Sequence, residues 1–436
     1  MDIIGDADGL EPVRPGPEPA GRRALVRPAD LLHALFDGLI ALGAAVVLAM
    51  VSVIVLVYGA SSHFYGGPGD FFAAGVWLTG LSLGVPLRET ASTTMPGGHE
   101  LAAASAAEGR AIAWLLTAIV LVLVFRLVRR RERARPSAGG AQLTVRALLT
   151  ALVVTLILLV LALAATRASG YNAGLRSSSS IGLEPGLVFA GPLLLSAAAA
   201  LTGAASAATL PPHAAGQLAR WRPVFRLAWR QFLVIGAVTG VTLLVYVCAE
   251  TTKHSGGRAT AVTVLALLLL LPNLAIYGTL GGFGATFYGT ERVTGLGPGH
   301  GTGVSDSIGI FGSFRPWIVW LMLAAAVAGT LLPALLARRA VRAERIRGAD
   351  YPLSGVWRAA VTGLVAALVC VLLGTFSYMA SSYTAYSTSS VALRGLSFHQ
   401  SDSAGPSLLA AAGLTAAWLT LGYLATAVAA RGRVDR

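Results

Sequence analysis

Apolar residues along this chain fall in long uninterrupted runs, with polar residues collected between them. Eight runs, at roughly 31–58, 111–128, 147–165, 183–209, 231–249, 316–337, 357–378 and 406–429, approach the length of about 20 residues that an α-helix needs to cross a hydrocarbon layer about 30 Å thick. Two further runs are broken. Residues 71–87 contain Gly75, Gly80, Gly84 and Pro86; residues 261–287 contain Pro272-Asn273 and Gly278, Gly281, Gly282 and Gly284. The pattern predicts an all-α, polytopic transmembrane helix bundle, with about eight full spans plus two re-entrant or broken helices. The Gly- and Ser-rich stretches between them, including 289–303, read as flexible connecting loops.

Charge orders the spans. Of the 436 residues, 55% are hydrophobic and 12% charged, against about 25% charged in a typical soluble domain. A net charge of +13 would suit a nucleic-acid binder if it formed one patch, but the arginines lie in short groups between apolar runs: Arg129-Arg130-Arg131 with Arg133, the stretches 220–230 and 338–347, and 431–433. Basic residues mark the cytoplasmic ends of spans. If each broken run enters and leaves on one face, about 24 of the 33 basic residues collect on the cytoplasmic side, and both termini lie there too. The alternative of ten full crossings moves the 129–133 group outside and dissolves the bias. Backbone that re-enters a membrane must be covered by protein or water, so the broken segments belong in the bundle interior.

The order of elements occurs twice. Arg27-Pro28 and Leu56-Val57-Tyr58 correspond to Arg222-Pro223 and Leu244-Val245-Tyr246, and 145–152 resembles 357–364. Ser-rich outer segments follow at 169–180 and 381–390. The offset is about 195 to 212 residues; four crossings in each half make the two repeats parallel, and five would make them inverted. The predicted organisation is a disordered cytosolic tail (1–26), a first repeat (27–221), a second repeat (222–430) and a short cytosolic tail (431–436).

Candidate chemistry is sparse. Ionisable groups inside a membrane are functional candidates by default, and Asp37 in the first span, with His33 one turn earlier, meets that description. The pair reads either as a proton or cation site or as a structural group facing an arginine. Asn273 follows Pro272, whose missing N–H frees a carbonyl in the preceding turn; it either bonds backbone or lines a solute path. Gly80, Gly84, Pro272, Gly281, Gly282 and Gly284 are candidate hinges of the broken helices. Cys248 and Cys370, the only cysteines, sit in apolar runs and give no disulfide framework. No metal-ligand spacing, nucleotide motif or catalytic constellation occurs, so neither a cofactor, a metal nor an enzyme is expected.

The Ala/Leu/Val-rich spans, the segment Leu-Pro-Asn-Leu-Ala-Ile-Tyr-Gly-Thr-Leu-Gly-Gly-Phe-Gly at 271–284 and the Arg-rich inner loops resemble the streptophobe family of actinobacterial multi-pass membrane proteins. Trp-Leu-Thr-Gly (77–80) and Leu-Pro-Asn (271–273) also look like the PerM-type membrane proteins linked to cell division. Either resemblance implies a plasma-membrane protein and supplies no catalytic residues. Two functions stay open: a membrane scaffold or partner in envelope maintenance, or a permease or channel-like transporter of a small solute between the two halves. The expected partners are the lipid bilayer and other membrane proteins or further copies of the chain, not nucleic acid.

Overall fold

The computed structural model describes residues 26–60, 67–94, 103–110, 113–137, 139–172, 176–207, 233–249, 251–253, 270–294, 302–308, 320–328, 379–387 and 396–431, with scattered positions between 229 and 374. In chain order the elements are α1 (Pro28–Ala60), α2 (Pro68–Ser82), β1 (Leu87–Thr94), β2 (Ala103–Arg110), α3 (Trp114–Ala134), α4 (Gly140–Ala165), β3 (Arg167–Asn172), β4 (Arg176–Leu183) and α5 (Ala190–Ala207). There follow α6 (Leu233–Lys253), α7 (Leu271–Gly282), β5 (Phe287–Thr294), β6 (Thr302–Ile308), α8 (Trp320–Leu332), β7 (Met379–Ser387), β8 (Leu396–Pro406) and α9 (Leu408–Arg431). Among the described residues, four helices are long and apolar enough to cross a membrane: Pro28–Val57 in α1, Gly140–Ala165, Pro185–Ala207, which takes in α5, and Leu233–Lys253. Their outward faces are greasy. On α4, Leu148, Leu152, Leu156 and Val160 are all exposed, a stripe at i, i+4 spacing that suits lipid rather than water. These features support a membrane location. The runs at 220–230 and 338–347 and most of 357–378 lie outside the described residues.

The chain is mostly helical but not all-α. The connecting segments form an eight-stranded antiparallel sheet in the order β3-β4-β1-β2-β7-β8-β5-β6, which corrects the expectation of loops, including at 289–303, whose flanks are β5 and β6. Strands such as Leu-Arg-Glu-Thr-Ala-Ser-Thr-Thr have no alternation of apolar and polar positions, so the usual signature of a half-buried strand is missing. Pairing is driven instead by backbone groups at the end of a bundle that need partners. Side-chain hydrogen bonds reinforce it, between Thr90 and Ser180 (2.7 Å) and between Ser92 and Ser178 (2.8 Å).

Helix α3 starts four residues after β2 ends, and α4 ends just before β3 begins. The turn between α3 and α4, with its arginines, therefore lies at the far end of the bundle, about 30 Å from the sheet for a 21-residue helix. The two broken helices sit at the sheet end. At the start of α2, Arg167 of β3 bonds the Gly69 carbonyl and pairs with Asp70 at 3.5 Å; at its end, Gly80 packs under Leu183 of β4. The start of α7 meets the start of α3, described below, and its end leads directly into β5.

Two stretches of the backbone follow the same path. Each broken helix ends in the same turn, which passes through a glycine of positive φ, Gly84 at 84° and Gly284 at 91°, before entering β1 at residue 87 and β5 at residue 287. Sheet order repeats as well: β3-β4-β1-β2 in the first half, β7-β8-β5-β6 in the second. Packing has compensated between the halves. A Cβ on Gly75 of α2 would stand 3.1 Å from the Met50 amide and the Val46 carbonyl of α1. Its counterpart is Ala275, and there the partner helix gives up the bulk instead: a Cβ on Gly240 of α6 would lie 3.1 Å from the Ala275 Cα.

Because an L-residue in the left-handed region costs about 1–2 kcal/mol, Gly84→Ala and Gly284→Ala are each expected to lower the thermal midpoint of the detergent-solubilised protein by similar amounts. Gly43→Ala, which meets nothing within 4 Å in α1, is expected to hold or raise it. A loss at only one of the two turn glycines would contradict their equivalence.

Candidate functional site

The sequence candidates in the first span belong to a network at the end of the bundle remote from the sheet. Asp37 of α1 pairs with Arg131 of α3 at 3.5 Å, and Asp30 pairs with Arg146 of α4 at 3.3 Å. Side chains of all four are largely buried. Arg131 also donates to Thr150 Oγ1 at 3.0 Å and to the Arg146 carbonyl. Arg146 reaches the Arg135 carbonyl and Ser137 Oγ, both at 3.3 Å, and the Asp30 carboxylate caps α1 by accepting from the Arg27 amide at 3.0 Å. His33 does not join these pairs; its Nδ1 bonds the Ala29 carbonyl of its own helix. Of the two readings of Asp37, this geometry is that of the structural one: the carboxylate ties α1 to α3.

Asn273 holds the two halves together. Its Oδ1 accepts from the Trp114 amide at 3.1 Å. Trp114 opens α3, where the first-turn N–H groups lack helical partners and the N-cap, Ala113, has no side chain to offer. Asparagine from the second half supplies that cap. Around it the Trp114 ring packs with Ile276, Leu280, Ala285 and Ala411. Pro272 occupies the first turn of α7, where its missing N–H removes no helical bond, just after helical positions at 264, 267 and 268 and a turn at 270. Gly281 and Gly282 are buried in its last turn; a Cβ on Gly282 would come within 3.3 Å of the Met322 carbonyl of α8. Among the described residues only Gly84 and Gly284 take a backbone conformation that requires glycine; Gly80 serves close packing.

The sheet carries a feature that the sequence did not reveal. A cavity of about 300 Å³ lies across the seam where β2 of the first half pairs with β7 of the second. Glu89, Glu108, Ser382, Gln400 and Asp402 provide its polar lining, and Leu87 and Ile181 are among its apolar walls. Gln400 Nε2 donates to Asp402 Oδ2 at 3.5 Å. Carrying the register from one half to the other puts Gly289, Ser307 and Ser179 at the places of Glu89, Glu108 and Asp402. Acidic residues at this seam are thus not demanded by the repeated fold. Among the described residues no group of three or more His, Cys, Asp or Glu is arranged to hold a metal ion. Only a comparison of the two halves, with the strands already known, would have singled these carboxylates out.

No family model, no curated protein and no solved structure matches the chain.

Removing one partner of a buried ion pair leaves an uncompensated charge, at a cost of about 3–5 kcal/mol. Asp37→Asn and Arg131→Gln are each expected to destabilise the protein, and the double variant to lose clearly less than their sum in a thermal double-mutant cycle; strict additivity would mean the pair is not coupled. Asn273→Ala is expected to cost about 1 kcal/mol by uncapping α3, read as faster amide exchange at the start of that helix.

Proposed function

We propose that this chain is a non-transporting scaffold of the plasma membrane, a partner for other envelope components that presents its sheet outside the cell. The observation that carries this reading is where the polar groups are spent. In the helical layer, Asp37, Arg131, Asp30, Arg146 and Asn273 are engaged with one another or with backbone, while the polar cavity lies in the sheet. A solute path would be expected to place polar groups along the bundle.

In this reading the chain crosses eight times. Both termini and the arginines of 129–133 face the cytoplasm by the positive-inside rule. α2 and α7 are re-entrant segments beneath the sheet, covered by protein as irregular membrane backbone must be. The resemblance to streptophobe and PerM-type proteins implies a plasma-membrane location and nothing sharper. The reading assigns no reaction and no cofactor.

Two measurements test it. In a background lacking Cys248 and Cys370, Ser92→Cys on β1 is expected to react with a membrane-impermeant maleimide in intact cells, and Ala134→Cys only after permeabilisation; the opposite pattern overturns the topology. In a deletion strain scored for envelope-stress sensitivity, the triple variant Glu89→Gln/Glu108→Gln/Asp402→Asn is expected to fail in complementation, whereas the paired variant Asp37→Asn/Arg131→Gln complements at normal protein level. A silent cavity variant together with an inactive helical pair would favour a path through the bundle.

A further inference from the structure

Among the described residues the sheet ends in two strands that each have one neighbour, β3 and β6. Unpaired edges present rows of N–H and C=O groups that template further pairing, and here the internal repeat states what fits them. Within the chain, the halves join by antiparallel pairing of β2 with β7, from Ala103 opposite Ser387 to Arg110 opposite Ala380. In the repeat, β6 occupies the place of β2, because both pair outward from the strand that follows a broken helix: Leu87 faces Gly109, and Phe287 faces Ile308. Strand β3 occupies the place of β7, because Arg167 faces Ile181 as Met379 faces Ala404, with Leu183 and Pro406 as the matching partners of Leu87 and Phe287. Tyr171 and Tyr383 fall at the same place under this correspondence. The two free edges are therefore the two sides of a seam that the chain already makes once.

We infer that β6 of one copy pairs with β3 of a second copy, repeating the β2·β7 seam between molecules. The register follows from the seam itself: Asp306 opposite Tyr171 as Ala107 is opposite Tyr383, and Ser305 opposite Asn172 as Ala106 is opposite Thr384. Geometry in the membrane is compatible with this partner. The existing seam joins two units whose strands leave their helices in the same order, so repeating it keeps the next copy in the same bilayer and the same orientation. The contact is head-to-tail, which closes into a ring or runs on as a row. It is independent of the scaffold reading, since it rests on the sheet alone.

The test uses the full chain in native membranes, without Cys248 and Cys370. Ser305→Cys and Asn172→Cys are made as separate variants, each with a different tag, and co-expressed before mild oxidation. A disulfide-linked dimer carrying both tags is expected, with little product from either variant alone and several-fold less when Gly170→Cys replaces Asn172→Cys. The unsubstituted protein in lipid nanodiscs is expected to contain two or more copies. The inference is overturned if the co-expressed variants do not link while each is present at normal level. It is equally overturned if the unsubstituted protein is monomeric, or if only the double variant links, within one chain, which would mean that the sheet closes on itself.

Discussion

Backbone hydrogen bonding between the polar connectors is the interaction on which the rest of this architecture depends. Eight short segments leave or enter the helices at one end of the bundle, and their N–H and C=O groups pair with one another in a single sheet. Because β2 belongs to one half and β7 to the other, the sheet is also the main bond between the halves. Below it, Asn273 and the Trp114 cluster make a smaller second contact. Through these two contacts the position of α7 beside α3 follows from the pairing of the strands.

At the opposite end the problem is charge. Arginines that close α3 and open α4 are partly buried against α1, and the two aspartates of α1 answer them. Two ion pairs and several backbone carbonyls thereby fix the rotation of α1 about its axis. That rotation decides which residues of α1 meet α2: Val46 and Met50 pack against Gly75, while Leu35, Leu39 and Val47 face outward. Sheet and charge network thus act on the two ends of the same helices, about 30 Å apart.

Much of this was legible in the sequence, and what was not has a physical cause. Long apolar runs announce helices whatever surrounds them, and α1, α4 and α5 fall where the runs predict. Short matches around Arg27-Pro28 and the Ser-rich segments suggest a repeat, and Gly84 and Gly284 share a positive φ. Asp37 could be read as a proton or cation site or as facing an arginine, but which arginine could not be read, because its partner Arg131 lies on another helix. Pro272 marks where the apolar run 261–287 passes through a turn at 270 and opens α7. The strands escaped notice because Ser, Ala and Gly carry little β preference and no alternation; their pairing depends on neighbours that only the folded chain brings together. For the same reason the carboxylates of Glu89, Glu108 and Asp402 could not be read as neighbours.

The central claim is that one sheet joins the two halves across β2 and β7, and cross-linking within a single chain addresses it most directly. Ser105 and Ala385 stand opposite each other in that seam. With cysteines at both positions, and the native ones removed, mild oxidation in membranes is predicted to link 103–110 to 379–387 within one molecule, seen as two fragments held together after cleavage between the halves. Efficient linkage of Ser105→Cys to a cysteine at 383 or 387 in place of 385 would contradict the register, and no linkage at any of the three would contradict the seam.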